Sequence, residues 1–292
     1  MKLADAHLHL FRQGYAPRYG AAWANSREVD LYETFRRVHK IESGLVIGFE
    51  GRAEFEGNNR DIAIWARKHS WIAPLAFLTL TAEPTLKLFE GWHRQGFAGI
   101  ALYIMNRGEA ERLNRWPICA FQWLNEHQQI VSVNAVPESL EHIEPFLSKL
   151  DQCTTLISHL GLPGRFAEPP SQRVARNILR PLRSLTKLPN VGVKLSGLYA
   201  ISAPSHAYPH RSAQPFILDL FDTFGPKRLY WGSDFSPVLE HVSFPQAIDV
   251  LFQFGWSARD LQAIMHDNLM RVIRNRGSGS RGTLPRGNSK SE

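Results

Sequence analysis

Cysteine is nearly missing from this chain, which has only Cys119 and Cys153 among its 292 residues. Two cysteines in ordinary contexts do not form a disulfide framework, so we expect both as reduced thiols. No apolar run approaches the roughly 20 residues that a membrane span requires. Asp5, His7 and His9 interrupt the first apolar stretch, which therefore does not read as a signal peptide. These absences predict a cytoplasmic protein without a membrane partner.

Two further signatures are missing. No glycine-rich turn follows the first predicted strand, so a dinucleotide-binding fold has little support. The net charge is +7, but the basic residues do not cluster with aromatic residues on a recognisable nucleic-acid module, and we expect no nucleic-acid partner. The positive excess is compatible with an anionic small-molecule substrate. Part of the excess lies in residues 277–292, whose glycine, serine and arginine content predicts a short disordered basic tail.

The rest of the chain alternates between strand-like and helix-like segments. Eight short, mostly apolar runs predict β-strands, and a segment with helical periodicity follows each of them. The predicted strands are 3–10, 44–49, 71–78, 98–103, 130–135, 154–159, 191–196 and 228–234. Such alternation implies parallel strands, and eight units in roughly 275 residues match a (β/α)₈ barrel in size. We predict an α/β fold, a single TIM barrel over residues 1–276; an open doubly wound sheet would need fewer strands or a second domain.

Polar side chains gather at the predicted strand ends. Strict alternation along the first strand places Asp5, His7 and His9 on one face, where two imidazoles can reach one metal ion or one polarised oxygen. An isolated His-X-His is more often a solvated edge strand. Here, however, His159 ends the sixth strand and Asp234 the eighth, and the active site of such a barrel lies at the carboxyl ends of its strands. Because the first and eighth strands meet when the barrel closes, we expect these polar groups to share one site.

Four segments carry a resemblance to a known family. They are Asp5–His9, Ser158–Pro163, Val193–Tyr199 and Phe224–Phe235. In order and spacing they resemble the amidohydrolase superfamily, specifically the amidohydrolase-related branch with its sugar lactonases, dicarboxylate lactonases and aminocarboxymuconate-type decarboxylases. The resemblance covers nearly the whole chain except the tail.

The resemblance implies roles for individual residues. His7, His9 and Asp234 correspond to the metal-site positions of the family, and Asp234 also to its proton shuttle. His159 corresponds to the histidine that contacts the substrate or polarises its carbonyl. Family members with a firm metal site usually have a histidine at the end of the fifth strand, where Asn134 is the nearest candidate here. Because asparagine is a poor zinc ligand, two alternatives remain open: one weakly held zinc or manganese ion, or metal-independent catalysis.

Hydrolysis of a lactone or a related carbonyl compound is the expected activity. His159, the histidine pair or a metal would polarise the carbonyl, and Asp234 would take a proton from the attacking water and return it to the leaving alkoxide. Ser233 should point away from the site, which argues against a Ser–His–Asp triad. The alternatives are a metal-dependent decarboxylase or hydratase of the same superfamily, and a non-catalytic barrel that binds a ligand.

Five residues are candidates for binding the substrate: Lys194, Arg52, Arg107, Tyr199 and Asn134. Lys194 lies on the seventh strand, where it either binds an anion or forms an interior ion pair. Arg52 and Arg107 follow the second and fourth strands, and Tyr199 lies in the long loop after the seventh. Binding residues concentrate in such strand-end loops. The sequence leaves the oligomeric state open, a homo-oligomer included.

Overall fold

The computed structural model of the protein describes residues 1–15 and 27–278. Eight parallel strands form one sheet in the order of the chain, and helices lie between consecutive strands. The strands are Leu3–Leu8 (β1), Ile41–Ile47 (β2), Ile72–Phe77 (β3), Gly99–Ile104 (β4), Ile130–Ala135 (β5), Thr154–Ile157 (β6), Val191–Leu195 (β7) and Leu229–Trp231 (β8). The predicted (β/α)₈ barrel is confirmed. The sequence placed His159 and Asp234 within strands, whereas β6 and β8 end two and three residues before them.

Fourteen α-helices occur in the described part of the chain. They are Glu28–His39 (α1), Asn58–Lys68 (α2), Leu86–Arg94 (α3), Arg107–Leu113 (α4), Ile118–Glu126 (α5), Pro137–Leu140 (α6), Glu144–Leu147 (α7), Gln172–Ile178 (α8), Arg180–Ser184 (α9), Leu198–Ile201 (α10), Gln214–Phe224 (α11), Phe244–Asp249 (α12), Ala258–Gln262 (α13) and Asn268–Ser278 (α14). A π-helical turn, Ala263–Asp267, joins the last two. None of these helices has the length and apolar character needed to cross a membrane. The predicted tail lies outside the described residues from residue 279 onwards.

Polar side chains begin several of these helices by accepting a backbone N–H of the first turn. The residues are Thr85, Asn106, Ser171, Ser243 and Ser257, which precede α3, α4, α8, α12 and α13. Such caps satisfy donors that have no partner within the helix, and each contributes about 1 kcal/mol. They therefore fix where a helix starts after its strand, and with it the length of the loop at the carboxyl end of the barrel.

Two apolar layers hold the barrel together. The inner layer fills the barrel with residues of alternating strand positions: Ala4, Ala6, Leu45, Ile47, Ala73, Leu75, Ala101, Ile130, Leu156 and Tyr230. The outer layer, between the sheet and the helices, includes Leu8, Val46, Ile100, Val133, Ile157, Val193, Leu229 and Trp231. Cys153 is buried in the outer layer and Cys119 is exposed, and both are free thiols.

The strict alternation predicted for β1 is wrong. Three residue steps from Asp5 to Leu8 lie opposite only two steps on β2, from Gly44 to Val46. Because of this irregularity, Asp5 does not share the face of the two histidines. Its carboxylate instead accepts a hydrogen bond at 2.8 Å from the hydroxyl of Tyr32 on α1, in the outer layer.

The junction of β1 and β8 closes the barrel. It contains one parallel bridge between Leu8 and Phe235, and the Asp234 N–H donates to the carbonyl of His7 at 2.8 Å. Gly232 allows this close approach. A Cβ atom at Gly232 would lie 2.7 Å from the Cβ of His7 and 3.1 Å from that of Ser196. Only a residue without a side chain fits between the two strands here.

We expect Gly232→Ala to lower the free energy of unfolding by about 1–3 kcal/mol, the usual cost of overpacking, because the two nearest atoms, the Cβ and the backbone N of His7, are held in strand β1. Gly91→Ala is the matched control, since Gly91 lies within α3 and its added Cβ would meet no atom within 4 Å. This control should gain about 0.5–1 kcal/mol from the higher helix propensity of alanine. Urea denaturation of both variants measures the difference, and equal stabilities would contradict the proposed packing.

Candidate active site

His7 and His9 stand at the carboxyl end of β1 with their Nε2 atoms 3.3 Å apart. The Nδ1 of His9 lies 2.9 Å from the carbonyl oxygen of Ile47, which can only accept, so Nδ1 carries the proton and Nε2 keeps a lone pair. Burial lowers the pKa of His9 to about 4. Burial, reinforced by nearby Lys194, also places the pKa of His7 well below its ordinary value. Both imidazoles are therefore neutral at neutral pH.

Asp234 lies between these histidines and the far wall of the barrel. Its Oδ1 is 3.6 Å from His7 Nε2 and 3.8 Å from His9 Nε2. Its Oδ2 accepts a hydrogen bond from the Tyr199 hydroxyl at 2.7 Å and lies 3.9 Å from His159 Nδ1. The two oxygens thus face different partners, one the histidine pair and the other Tyr199 and His159.

His159 completes the group from the end of β6. Its ring centroid is 4.4 Å from that of His7, and its Nδ1 lies 3.0 Å from the hydroxyl of Ser196. Burial lowers its pKa. A Cβ at Gly197 would lie 2.3 Å from His159 Nδ1, so the glycine makes room for the ring. The four polar residues that the sequence predicted at strand ends therefore meet in one place.

The backbone is strained at two of these residues. His159 has a φ of 53° and Asp234 a φ of 58°, in the left-handed region that residues other than glycine rarely adopt. Such conformations cost about 1–3 kcal/mol each and cluster at functional sites, where the surrounding structure holds them in place. His159 and Asp234 are two of seven non-glycine residues in the described chain with a positive φ.

Lys194 lies beneath the histidines and is fully buried. Its Nζ donates to the Ser132 hydroxyl at 2.6 Å and lies 3.2 Å from Nδ1 of His7. Burial lowers its pKa to about 7. The inward direction predicted for Lys194 agrees with the structure, but its placement argues against contact with a substrate. Lys194 contacts the ring of His7 through Nδ1. Its hydrogen-bond partners are His7 and Ser132, and not an acidic residue as the predicted interior ion pair required.

Arg52 and Arg107 are exposed and pair with glutamates rather than with a residue of the site. Arg52 has a side chain that is 60% exposed and lies 3.9 Å from Glu54, and Arg107 is 61% exposed and bonded to Glu111 at 2.7 Å. Each arginine pairs with a glutamate that follows it closely in the chain, which turns it towards solvent. The substrate-binding role predicted for both stays a prediction.

The remaining two candidates are near the site. Tyr199, on α10, contacts Asp234 through its hydroxyl group. Asn134, on β5, pairs in register with Tyr103 on β4, a residue that the sequence analysis did not single out. Alternation from Ala101, which packs in the inner layer, would have predicted the inward direction of Tyr103. Asp5, which the sequence placed with the histidines, instead bonds to Tyr32 and Ser233, and these partners become visible only in the folded barrel.

The described part of the chain contains a group of residues that could hold one metal ion. The ligand atoms of His7, His9 and Asp234 all lie within 4.8 Å of one another, and all three residues are buried. The three residues whose positions the family resemblance assigned to a metal are thus close enough to share one ion.

The chain is similar to several known proteins in sequence and in fold. At 23% identity over 275 residues, 92% of this chain and 88% of the relative, the chain resembles 4-sulfomuconolactone hydrolase of Hydrogenophaga intermedia. A zinc-bound amidohydrolase from Burkholderia multivorans has the same fold, with a TM-score of 0.76 and 20% identity over 94% of this chain and 99% of that one. A Pseudomonas putida protein described as a 2-pyrone-4,6-dicarboxylic acid hydrolase has a TM-score of 0.71 and 19% identity, covering 94% and 97%. The amidohydrolase family model matches residues 4–274, and the chain belongs to that family.

Proposed function

We propose that this protein is a hydrolase that opens a lactone ring or a related carbonyl compound by attack of water. The observation that carries the proposal is the convergence of three buried, neutral imidazoles on the two oxygens of Asp234. The names of two similar proteins, a sulfomuconolactone hydrolase and a pyrone dicarboxylic acid hydrolase, support a cyclic ester as the small-molecule substrate.

Asp234 is the proton acceptor in this proposal. The Tyr199 hydroxyl occupies Oδ2, whereas Oδ1 faces the two histidines at distances beyond hydrogen bonding. Oδ1 is therefore the oxygen that takes a proton from water as it attacks the carbonyl carbon. The resulting carboxyl group then returns that proton to the ring oxygen as the ester bond breaks. The reaction needs no covalent bond between the enzyme and the substrate. Ser233 is therefore not required as a nucleophile, and its hydroxyl donates to Asp5 instead.

His159 polarises the substrate carbonyl. A neutral imidazole carries one N–H, and the Ser196 hydroxyl beside Nδ1 can donate to that nitrogen, which leaves the proton on Nε2. An N–H directed at the carbonyl oxygen stabilises the negative charge that develops there during attack. Gly197 and the left-handed backbone of His159 hold the ring in one orientation. The residue thus acts as a fixed hydrogen-bond donor.

The residues present also fit one divalent ion. Tetrahedral ligand atoms about 2.0–2.1 Å from zinc lie roughly 3.3–3.5 Å from one another. The three separations among His7 Nε2, His9 Nε2 and Asp234 Oδ1 are 3.3, 3.6 and 3.8 Å. The hydrogen bond from His9 to Ile47 orients that ring in the way commonly seen for metal-bound histidines. A zinc or manganese ion held there would supply a Lewis acid for the carbonyl.

We expect Asp234→Asn to reduce kcat/KM by about 10²–10⁴-fold, because an amide keeps the shape of the side chain but cannot accept a proton. The measurement is hydrolysis of a panel of sugar and dicarboxylate lactones, with circular dichroism to confirm the fold. Asp222→Asn is the matched control, since Asp222 is an exposed aspartate on α11. A folded Asp234→Asn protein within a few-fold of the unmodified enzyme would contradict the mechanism.

We also expect at most one zinc or manganese ion per chain, bound through His7, His9 and Asp234. His9→Asn should lose the ion, because it removes a ligand nitrogen, and the exposed His206 provides the control variant His206→Asn. Elemental analysis of the purified proteins gives the stoichiometry. Two ions per chain, or an unchanged content in His9→Asn, would refute this site.

Extensive chelation separates the two catalytic alternatives. The chelated protein should stay folded, because a barrel of this size has its own apolar core. If chelation abolishes turnover and zinc restores it, the ion takes part in catalysis. Turnover that survives complete removal assigns the polarisation of the carbonyl to the histidine N–H groups alone.

A further inference from the structure

Two buried polar atoms beside the site have no hydrogen-bond partner. They are the hydroxyl oxygen of Tyr103 on β4 and the Oδ1 of Asn134 on β5. The two residues pair directly in the register of these neighbouring strands. Because buried polar groups are nearly always hydrogen-bonded, two adjacent exceptions beside a proposed active site require an explanation. A ligand that supplies the missing partners is the simplest one.

Both side chains face the inside of the barrel. Tyr103 follows Ala101 of the inner layer by two residues, and alternation returns its side chain to the same face. Asn134 follows Ser132 by two residues, and the Ser132 hydroxyl accepts from Lys194, which supports His7 from below. Asn134 therefore lies on the inward face, one step closer to the carboxyl ends of the strands, at the level of the site.

Aromatic rings connect this pair with the histidines. The ring of Tyr103 lies 4.9 Å from that of Phe49, which in turn lies 5.7 Å from Phe55. Phe55 stacks on Phe11 at 4.1 Å, and Phe11 stacks on His9 at 5.6 Å. The wall from His9 to Tyr103 is thus apolar and uncharged, with the Tyr103 hydroxyl at its far end.

Nearby arginines are bonded to other groups. Arg12 donates to Asp61 at 2.9 Å, and Arg165 donates to Ser202 and Ser205 at 3.2 and 2.8 Å. Arg52 and Arg107 lie in exposed pairs with glutamates, as described above. None of these four therefore supplies an uncommitted cation to the Tyr103–Asn134 wall. None of these four would compensate the charge of a carboxylate placed beside the Asn134 oxygen.

We propose that Tyr103 and Asn134 form a subsite for a hydroxyl group of the substrate, so that this enzyme acts on neutral polyhydroxy lactones rather than on dicarboxylate lactones. One hydroxyl group can donate to Asn134 Oδ1 and accept from Tyr103, which satisfies both unpartnered atoms at once. A carboxylate offers only acceptors, so it could accept from Tyr103 but could not donate to Asn134 Oδ1. A site built to hydrogen-bond a hydroxyl rejects analogues that lack it, since its own polar groups then stay unpaired. This inference rests on the proposed function.

Equilibrium binding to the Asp234→Asn protein tests the subsite without turnover. The probes are ribono-1,4-lactone, γ-butyrolactone, which has the same ring without hydroxyl groups, and 2-pyrone-4,6-dicarboxylate. We expect ribono-1,4-lactone to bind at least about tenfold more tightly than either other probe, from the paired hydroxyl. Tighter binding of the dicarboxylate, or equal binding of the two five-membered lactones, would overturn the proposal.

Tyr103→Phe and Asn134→Ala, each combined with Asp234→Asn, locate the contact. Each should weaken binding of ribono-1,4-lactone by about 3–10-fold and leave γ-butyrolactone unchanged. Tyr103→Phe alone should not lower the thermal midpoint, because it removes a hydroxyl without a partner. Thr155→Val is the matched control: it also removes an unpartnered buried hydroxyl, but Thr155 neighbours the inner-layer Leu156 and faces outwards. This control should bind all three probes normally.

The outcomes separate the two proposals. If the unmodified protein hydrolyses no lactone while ribono-1,4-lactone binding depends on Tyr103 and Asn134, the subsite stands and the hydrolase fails. If the protein hydrolyses lactones but both substitutions weaken all probes equally, the hydrolase stands and the subsite fails. Loss of binding to both five-membered lactones in Tyr103→Phe would mean that the aromatic ring of Tyr103 shapes the site, and that its hydroxyl does not discriminate between the two lactones.

Discussion

The carboxylate of Asp5 ties the barrel together where it closes. It accepts four hydrogen bonds: from the N–H of His7 at 3.1 Å, from the N–H and hydroxyl of Ser233 at 2.9 and 2.5 Å, and from the hydroxyl of Tyr32 at 2.8 Å. Burial raises the pKa of Asp5 to about 6, although these four donors favour the charged form and oppose the effect of burial. One side chain thus connects β1, the segment after β8, and α1. His7 and Asp234 adjoin this connection, so the candidate site depends on it.

The same junction explains why the site is rigid. Gly232 brings β8 against His7, and the N–H of Asp234 bonds to the carbonyl of His7. Asp234 can hold its left-handed backbone because its neighbours on both sides are fixed, Ser233 by Asp5 and Phe235 by the bridge to Leu8. Asp234 and the two imidazoles are therefore positioned by backbone contacts at this junction. Such pre-organisation is what stabilisation of a developing charge requires.

Local patterns predicted the parts of this structure that depend on local physics. Strand–helix alternation predicts the barrel, and the ends of predicted strands identified His7, His9, His159 and Asp234 before their geometry was visible. The irregularity in β1 could not be predicted, because it arises from pairing with β2. The ion pairs of Arg52 and Arg107 with nearby glutamates could not be predicted either, because a position in a strand-end loop does not reveal which neighbour a side chain contacts. The bond from Tyr199 to Asp234 likewise depends on the path of the loop after β7.

Two aspartates at one junction have opposite uses because their surroundings differ. Asp5 is fully buried and its oxygens receive four donors, so it has no capacity left for a substrate or a water molecule. Asp234 receives one donor on Oδ2, and its Oδ1 faces neutral imidazoles that do not donate to it within hydrogen-bond distance. Burial keeps those imidazoles uncharged, so they cannot neutralise the carboxylate by forming strong ion pairs. The structure thus uses one carboxylate to close the barrel and leaves an oxygen of the other available for chemistry.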